Sequence, residues 1–169
     1  MIEELIHTYS DYLYRIAFIY TKDEKVAEEV VQDVLLKFYQ TKDRYDGRAS
    51  MKTYLTKMTI NRSYDYLRSW KHRTFSLFEQ FTGTTKGADQ QVLQNEERGE
   101  ITAAVLKLPV KYREILLLYY YEDLQVNDIA EFLHVPVSTV KTRLQRGRER
   151  LKQTLPKQQW EVLVSDDTR

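Results

Sequence analysis

The side chains able to do covalent chemistry are few and scattered. There is no cysteine, which removes thiol nucleophiles, disulfides and thiolate metal clusters. His7, His72 and His134 show no metal-ligand spacing and adjoin no glycine-rich phosphate loop. Ser138, His134 and Asp128 offer the residue types of a nucleophilic triad, but a turn and a helix already explain all three. No enzymatic activity, cofactor or metal is expected. What the chain has in density is non-covalent chemistry for a polyanion. Ser138, Thr139, Lys141, Thr142, Gln145 and Arg146 are the short polar, amide and basic groups that meet base edges in a major groove. Arg143, Arg148 and Arg150 suit phosphates or an acidic surface.

A second basic block mixes cations with rings. Arg44, Arg48, Lys52, Lys57, Arg62, Arg68, Lys71 and Arg73 alternate with Tyr45, Tyr54, Tyr64, Tyr66 and Trp70. Rings that stack on bases, with cations along the backbone, point to unpaired or opened DNA. A buried tyrosine core competes with that account for Tyr54 and Tyr66, whereas Trp70, set among cations, is read as functional or semi-exposed. On the same segment Asp65 and Arg68 are three apart and can pair on a helix surface.

The charge map agrees with two polyanion sites. The formal net charge is +1, yet residues 41–75 carry +6 and residues 136–155 carry +5, against −4 over residues 1–40. Acidic faces between basic blocks are unlike a histone-like polycation and leave surface for protein partners.

These groups need elements to position them. Five glycines and three prolines in 169 residues disfavour a turn-rich β chain. Leu5, Ile6, Tyr9, Tyr12, Leu13, Ile16, Ala17 and Tyr20 recur at helical spacing, and Val26, Ala27, Val30, Val31, Val34, Leu35 and Phe38 form a second stripe. Opposite that stripe lie Glu28, Glu29, Gln32 and Asp33. Asp46-Gly47 marks a loop over residues 41–50. A third helix is predicted from about Ser50 to His72, with Leu55, Met58, Thr59, Tyr66 and Leu67. Residues 74–90 lose periodicity around Gly83 and Gly87 and read as a flexible linker. In it, Phe75, Leu77, Phe78 and Phe81 either dock on a partner or cover one end of the first domain. Helices are predicted over residues 92–107, 112–121, 126–133 and 137–155, the first ending before Pro109. The tail, residues 156–169, reads as disordered. The expected fold is all-α: two small helical domains, residues 1–73 and 91–155, joined by that linker. No apolar run approaches the roughly 20 residues of a membrane span, and Met1-Ile2-Glu3-Glu4 is no signal peptide, so a cytoplasmic protein is expected.

The sharpest local pattern is LQVNDIAEFLHVPVSTVKTRLQRGRERLK, residues 124–152, a helix-turn-helix. Ile129, Ala130 and Leu133 face inward, and Ala130 is small enough for two helices to cross closely. Val135 fills the turn, and Val140, Leu144 and Leu151, with Val137 at the start, form the buried stripe of the second helix. His134 occupies a turn position that favours a left-handed backbone, and Gly147 inside the last helix marks a close contact at a cost of about 1 kcal/mol relative to alanine.

Three segments together resemble the extracytoplasmic-function group of the bacterial sigma-70 family, over nearly the whole chain from Tyr9 to Leu155. AEEVVQDVLLKFY, residues 27–39, resembles the family's core-polymerase-binding segment at Ala27, Glu28, Gln32 and Phe38. YLTKMTINRSYDYLR, residues 54–68, matches its next segment at Leu55, Asn61, Asp65, Tyr66, Leu67 and Arg68. Residues 108–152 resemble region four, most specifically in Thr139-Val140-Lys141 with Arg143, Leu144, Arg146 and Arg148. The chain departs from the family's common residues at Val26, Tyr54, Thr59, His134 and Gly147.

That resemblance implies a sigma factor that directs RNA polymerase core to promoters and assists DNA opening. Region two would bind the clamp helices of the largest subunit through Glu28, Glu29, Gln32, Asp33 and Leu36. It would hold the opened −10 element through Arg44, Arg48, Lys52, Asn61, Arg62, Asp65, Arg68, Trp70 and Lys71. Region four would read the duplex −35 element through Ser138, Thr139, Lys141, Thr142, Arg143, Gln145, Arg146 and Arg148, and touch the β flap. It also implies an inhibitory anti-sigma factor, in many family members a membrane protein, so that the chain works at the nucleoid or is held at the membrane. The alternative is a polymerase-independent helix-turn-helix regulator, which would bind a duplex site tightly by itself.

Overall fold

The computed structural model describes residues 2–78 and 96–165, with side chains as far as Ser69 in the first stretch and, Val162 apart, from Gly99 in the second. The chain separates into two compact units, residues 1–88 and 89–169. Among the described residues there are eight α-helices and no strand, as the composition and periodicity predict.

In the first unit, α1 spans Ile2–Thr21, α2 spans Glu24–Thr41 and α3 spans Met51–Phe78. The α1–α2 hairpin turns on two residues. Lys22 takes a positive φ of 59°, and Asp23 then caps α2 by accepting the Val26 N–H at 3.0 Å. Every residue of the predicted α2 stripe is buried. Leu13 and Ala17 of α1 and Leu55 of α3 close one cluster with it. The valine-rich α2 has modest intrinsic propensity, so this packing is what holds it helical.

Beside Leu55 and Ile60, the buried face of α3 carries three small hydroxylated residues: Thr56, Thr59 and Ser63. The Thr56 and Thr59 hydroxyls donate back to the Lys52 and Leu55 carbonyls at 2.8 and 2.9 Å, which satisfies them within the helix. Tyr12 and Thr56 share a hydrogen bond of 3.0 Å between α1 and α3. A 3-10 turn at Lys42–Arg44 and Gly47, at φ 72°, shape the predicted loop. Ser50 starts α3 by accepting the Thr53 N–H at 3.1 Å. The helix runs past His72 to Phe78, so the first residues assigned to the linker are helical. No glycine or proline occurs between Ser50 and Gly83, and nothing earlier stops the helix. The remainder of the predicted linker, with Phe81, lies outside the described residues.

In the second unit, α4 spans Glu96–Leu106, α5 Val110–Leu116, α6 Val126–Leu133, α7 Val137–Thr154 and α8 Lys157–Ser165. The predicted start of α4, residues 92–95, lies outside the described residues. The predicted 112–121 helix divides, because α5 ends at Leu116 and Leu117–Tyr121 is a single π-helical turn. Arg113 is buried and donates to the Leu108 carbonyl at 2.8 Å, tying α5 to the turn before it. The tail is a correction. Residues 157–165 form a helix, with Trp160, Leu163 and Val164 half-buried, since those three recur at helical spacing behind Pro156. Residues 166–169 lie outside the described residues.

Candidate functional site

The residues assigned to a protein partner lie on the exposed side of α2, and the fold divides them. Glu28, Gln32 and Leu36, one turn apart, line a groove of about 620 Å³ with Ile6 and Tyr14 of α1 and Leu35 of α2. Leu36 is 54% exposed and Ile6 is 45% exposed, so the groove offers apolar contacts beside acidic and amide groups. Ile6 and Tyr14 were not predicted here. Ile6 has the helical phase of a core residue, and only the antiparallel packing of α1 on α2 leaves it open. Burial first, then the carboxylates of Glu24, Glu28 and Asp23, push the Tyr14 hydroxyl above its ordinary value.

Asp33 turns instead toward α3. One of its carboxylate oxygens accepts from Arg62 Nε at 2.8 Å and Nη2 at 2.6 Å. This links a residue assigned to the polymerase with one assigned to DNA. Both side chains are close to half exposed, and a pair so solvated is worth at most about 1 kcal/mol.

Of the described cations in and before α3, Arg44, Arg48, Lys52, Arg62 and Arg68 are exposed and Lys57 is half-buried. Asn61 is exposed as well. Arg48 pairs with Asp46 at 3.3 Å, and the Lys52 ammonium sits 4.5 Å from the centroid of the Tyr12 ring. Asp65 and Arg68 pair at 2.9 Å, the surface contact their spacing predicts. The side chains of Trp70 and Lys71 lie outside the described residues. The rings answer the open question about the tyrosines: Tyr45, Tyr54 and Tyr66 pack against the core of the unit. Tyr45 and Tyr54 stand 5.1 Å apart and flank Phe38, while Tyr64 makes an edge contact with Tyr20 at 5.4 Å. Each of these four rings thus makes a contact inside the unit while staying half-buried, with part of its surface open to solvent.

In the second unit, α6 and α7 form the predicted helix-turn-helix. Ile129 and Ala130 are buried, as are Val140, Leu144 and Leu151 of α7. His134 adopts φ 56°, ψ 46°, the left-handed conformation expected of its position, and the Val135 N–H donates back to the Ala130 carbonyl at 3.0 Å. Gly147 marks the predicted close contact: a Cβ there would stand 3.4 Å from the Leu116 side chain of α5. Val137 departs from its assignment to the buried stripe, being 36% exposed at the first turn of α7.

Ser138, Lys141, Thr142, Gln145 and Arg146 are exposed, and Thr139 and Arg143 half-buried, so the structure brings these seven to one face. Within it Thr142 donates to the Ser138 carbonyl at 2.9 Å, and the Gln145 amide donates to Glu149 at 3.0 Å. Arg148 stands apart. Its Nε donates to the Tyr120 hydroxyl at 2.9 Å, and its guanidinium lies over the rings of Tyr119 and Tyr120. Its place next to Gly147 and one turn from Leu144 and Leu151 directs it to the body of the unit rather than to the exposed group of seven.

Two further residues join this face without having been predicted. Lys111 and Tyr112, at the start of α5, share a concavity of about 270 Å³ with Ser138, Thr139, Arg143 and Arg146. Burial raises the Tyr112 hydroxyl, but a hydrogen bond from Arg146 and the charges of Lys111 and Arg150 outweigh it and hold the group below its ordinary value. A tyrosine between Lys111 and Arg113, more than twenty residues before the helix-turn-helix basic groups, gives no local sequence signal of such a role.

Known proteins carry the same organisation. The family model described as Sigma-70 region 2 matches residues 5–73, and that described as Sigma-70, region 4 matches residues 98–151. The chain is 28% identical over 163 residues to the ECF RNA polymerase sigma factor SigW of Bacillus subtilis, covering 90% of this chain and 87% of that protein. To SigM of the same organism, also an ECF RNA polymerase sigma factor, it is 28% identical over 152 residues, covering 89% and 93%. Its fold is similar to that of the sigma factor RpoE from Bartonella quintana, solved in complex with the anti-sigma factor NepR. That match has a TM-score of 0.71 at 20% identity, over 90% of this chain and 94% of that one. With both region models matching in chain order, and relatives aligned along most of its length, the chain belongs to the sigma-70 family, in its extracytoplasmic-function group.

Proposed function

We infer that this protein is a sigma factor: it binds RNA polymerase core, directs it to specific promoters and assists DNA opening. The observation that carries the reading is the pairing of two region matches with two different surfaces, an apolar and acidic groove on α1–α2 and a basic helix-turn-helix face on α6–α7. In this reading the groove, with Glu28, Gln32 and Leu36, and the exposed Glu29 of the same helix receive the clamp helices of the largest subunit, and region four also touches the β flap. Arg44, Arg48, Lys52, Asn61 and Arg68, with Trp70 and Lys71, hold the opened −10 strand, while Arg62 and Asp65 contribute from within ion pairs. The −35 duplex is bound from α7 by residues Ser138 to Arg146. Duplex contacts position the complex, and capture of unpaired bases offsets the cost of melting. No bond is made or broken by the protein itself.

The site of action is where core polymerase works, in the cytoplasm at the nucleoid. Because the Bartonella neighbour is in complex with an anti-sigma factor, an inhibitory partner of that kind, soluble or membrane-bound, is proposed for this chain too. Among the described residues no helix is long and apolar enough to cross a membrane.

The test is transcription by purified bacterial core polymerase, with and without the protein, on fragments of its own genome. Discrete new starts sharing −35 and −10 elements are expected. Failure of active core to bind the protein or to initiate, with tight binding of a duplex by the protein alone, would replace the reading with that of a stand-alone regulator.

A further inference from the structure

We propose that Lys111 and Tyr112 of α5 form, with Arg146 of α7, a clamp for one backbone phosphate of the DNA. In this arrangement Arg146 positions the duplex and does not read a base. The inference rests on the promoter-binding reading above and adds residues that lie outside the helix-turn-helix.

Three observations converge on it. First, the concavity joining the start of α5 to α7 is lined by Lys111, Arg143 and Arg146 and by the hydroxyl-bearing Ser138, Thr139 and Tyr112, with no carboxylate among its lining residues. Cations beside hydroxyl donors are the groups that bind a phosphate oxygen. Second, Arg146 is exposed, yet it lines the same concavity as Tyr112 and acts on that hydroxyl closely enough to help hold it below its ordinary value. Tyr112 is only 4% exposed, so it is a fixed anchor for Arg146 on the α5 side of that concavity. Third, the same ring carries the Lys111 ammonium at 5.1 Å and the Arg150 guanidinium at 5.2 Å from its centroid. Three cations thus gather around one phenol, and the nearest acid on α7, Glu149, is engaged by Gln145. An anion relieves their mutual repulsion, and the lowered pKa of the phenol fits a polarised donor facing it.

The test uses holoenzyme assembled from core polymerase and the full chain, on a promoter it recognises and on versions with each −35 base pair changed. Lys111→Ala and Arg146→Ala are expected to weaken promoter binding about 3- to 10-fold on every version alike. Each should also make the log–log salt slope shallower by about 0.9, the value of one phosphate contact. Tyr112→Phe keeps the ring and removes the anchor, so a smaller uniform loss is expected, with unchanged unfolding. A duplex bearing a neutral methylphosphonate at the clamped position should bind wild type and Lys111→Ala equally. Gln145→Ala serves as the contrast, changing preference among −35 versions.

A loss of preference at one base pair in Arg146→Ala, with Lys111→Ala silent, would overturn the proposal. So would inhibition by inorganic phosphate at matched ionic strength with no methylphosphonate position sensitive, which would assign the site to a free anion. If wild-type holoenzyme binds no promoter, the sigma reading itself has failed, and this is seen before any variant is compared.

Discussion

Ser63 has a fully buried hydroxyl with no hydrogen-bond partner, whereas its neighbours on the same stripe, Thr56 and Thr59, bond back to their own helix. A buried unsatisfied hydroxyl costs on the order of 1–3 kcal/mol. Ser63→Ala removes that cost and improves helix propensity, so chemical denaturation should show the first unit stabilised by about 1 kcal/mol. Tyr14 offers a second test. Its hydroxyl is raised in the folded state by burial and by Glu24, Glu28 and Asp23. The folded protein therefore holds this proton more tightly than the unfolded chain. The associated stability is present below the unfolded value of 10.0 and is lost as pH rises above it. Tyr14→Phe should flatten the decline in stability above pH 10, followed by denaturation across alkaline pH. Neither feature is visible in sequence, where Ser63 is one polar residue among several and Tyr14 is off the buried stripe.

At the scale of elements, the helix-turn-helix shows how well short-range rules work. The inward residues of α6 and α7, the left-handed His134 and the close approach at Gly147 all follow from spacing and residue type. Both special positions carry a cost. In Gly147→Ala the new methyl meets a Leu116 side chain at 3.4 Å that can shift slightly, so the propensity gain of up to about 1 kcal/mol should survive in large part. His134→Gly removes the Cβ strain of the left-handed region and should add a smaller gain, since glycine also loses more entropy on folding. Thermal unfolding of the full chain should place both variants above wild type. The misreadings at this scale have a common cause. From Ile115 to Tyr121 the stretch is apolar and aromatic without a break, so periodicity has nothing to mark where α5 yields to a π turn. The tail has too few residues for its Trp160–Leu163–Val164 stripe to stand out from a frayed end.

For the whole molecule, the division of labour between units yields a prediction on binding. Leu36 is exposed on α2 and makes no part of the core. Leu36→Asp should leave unfolding within about 0.5 kcal/mol of wild type. Core polymerase affinity, measured by competition for core, should fall at least about 10-fold, equivalent to about 1.4 kcal/mol. The basic face on α7 belongs to the other unit, so its contacts are unchanged by this substitution. Unaltered core affinity in Leu36→Asp would remove the groove from the polymerase interface and leave the family membership standing.

The sequence by itself determined the class of the protein, the α2 stripe, the helix-turn-helix and the two basic blocks. Each is a property of residues within a few turns of one another, where helical geometry alone decides which side chains share a face. Tertiary structure alone decided which neighbour each face meets. It sent Asp33 to Arg62 and Glu28, Gln32 and Leu36 to Ile6 and Tyr14. It packed Tyr45 and Tyr54 against Phe38, drew Arg148 to Tyr120, and set Lys111 and Tyr112 beside Arg146. The phase of a residue on its own helix is a local quantity. The crossing of that helix with another is fixed by the fit of many side chains from distant segments, and no local spacing records it.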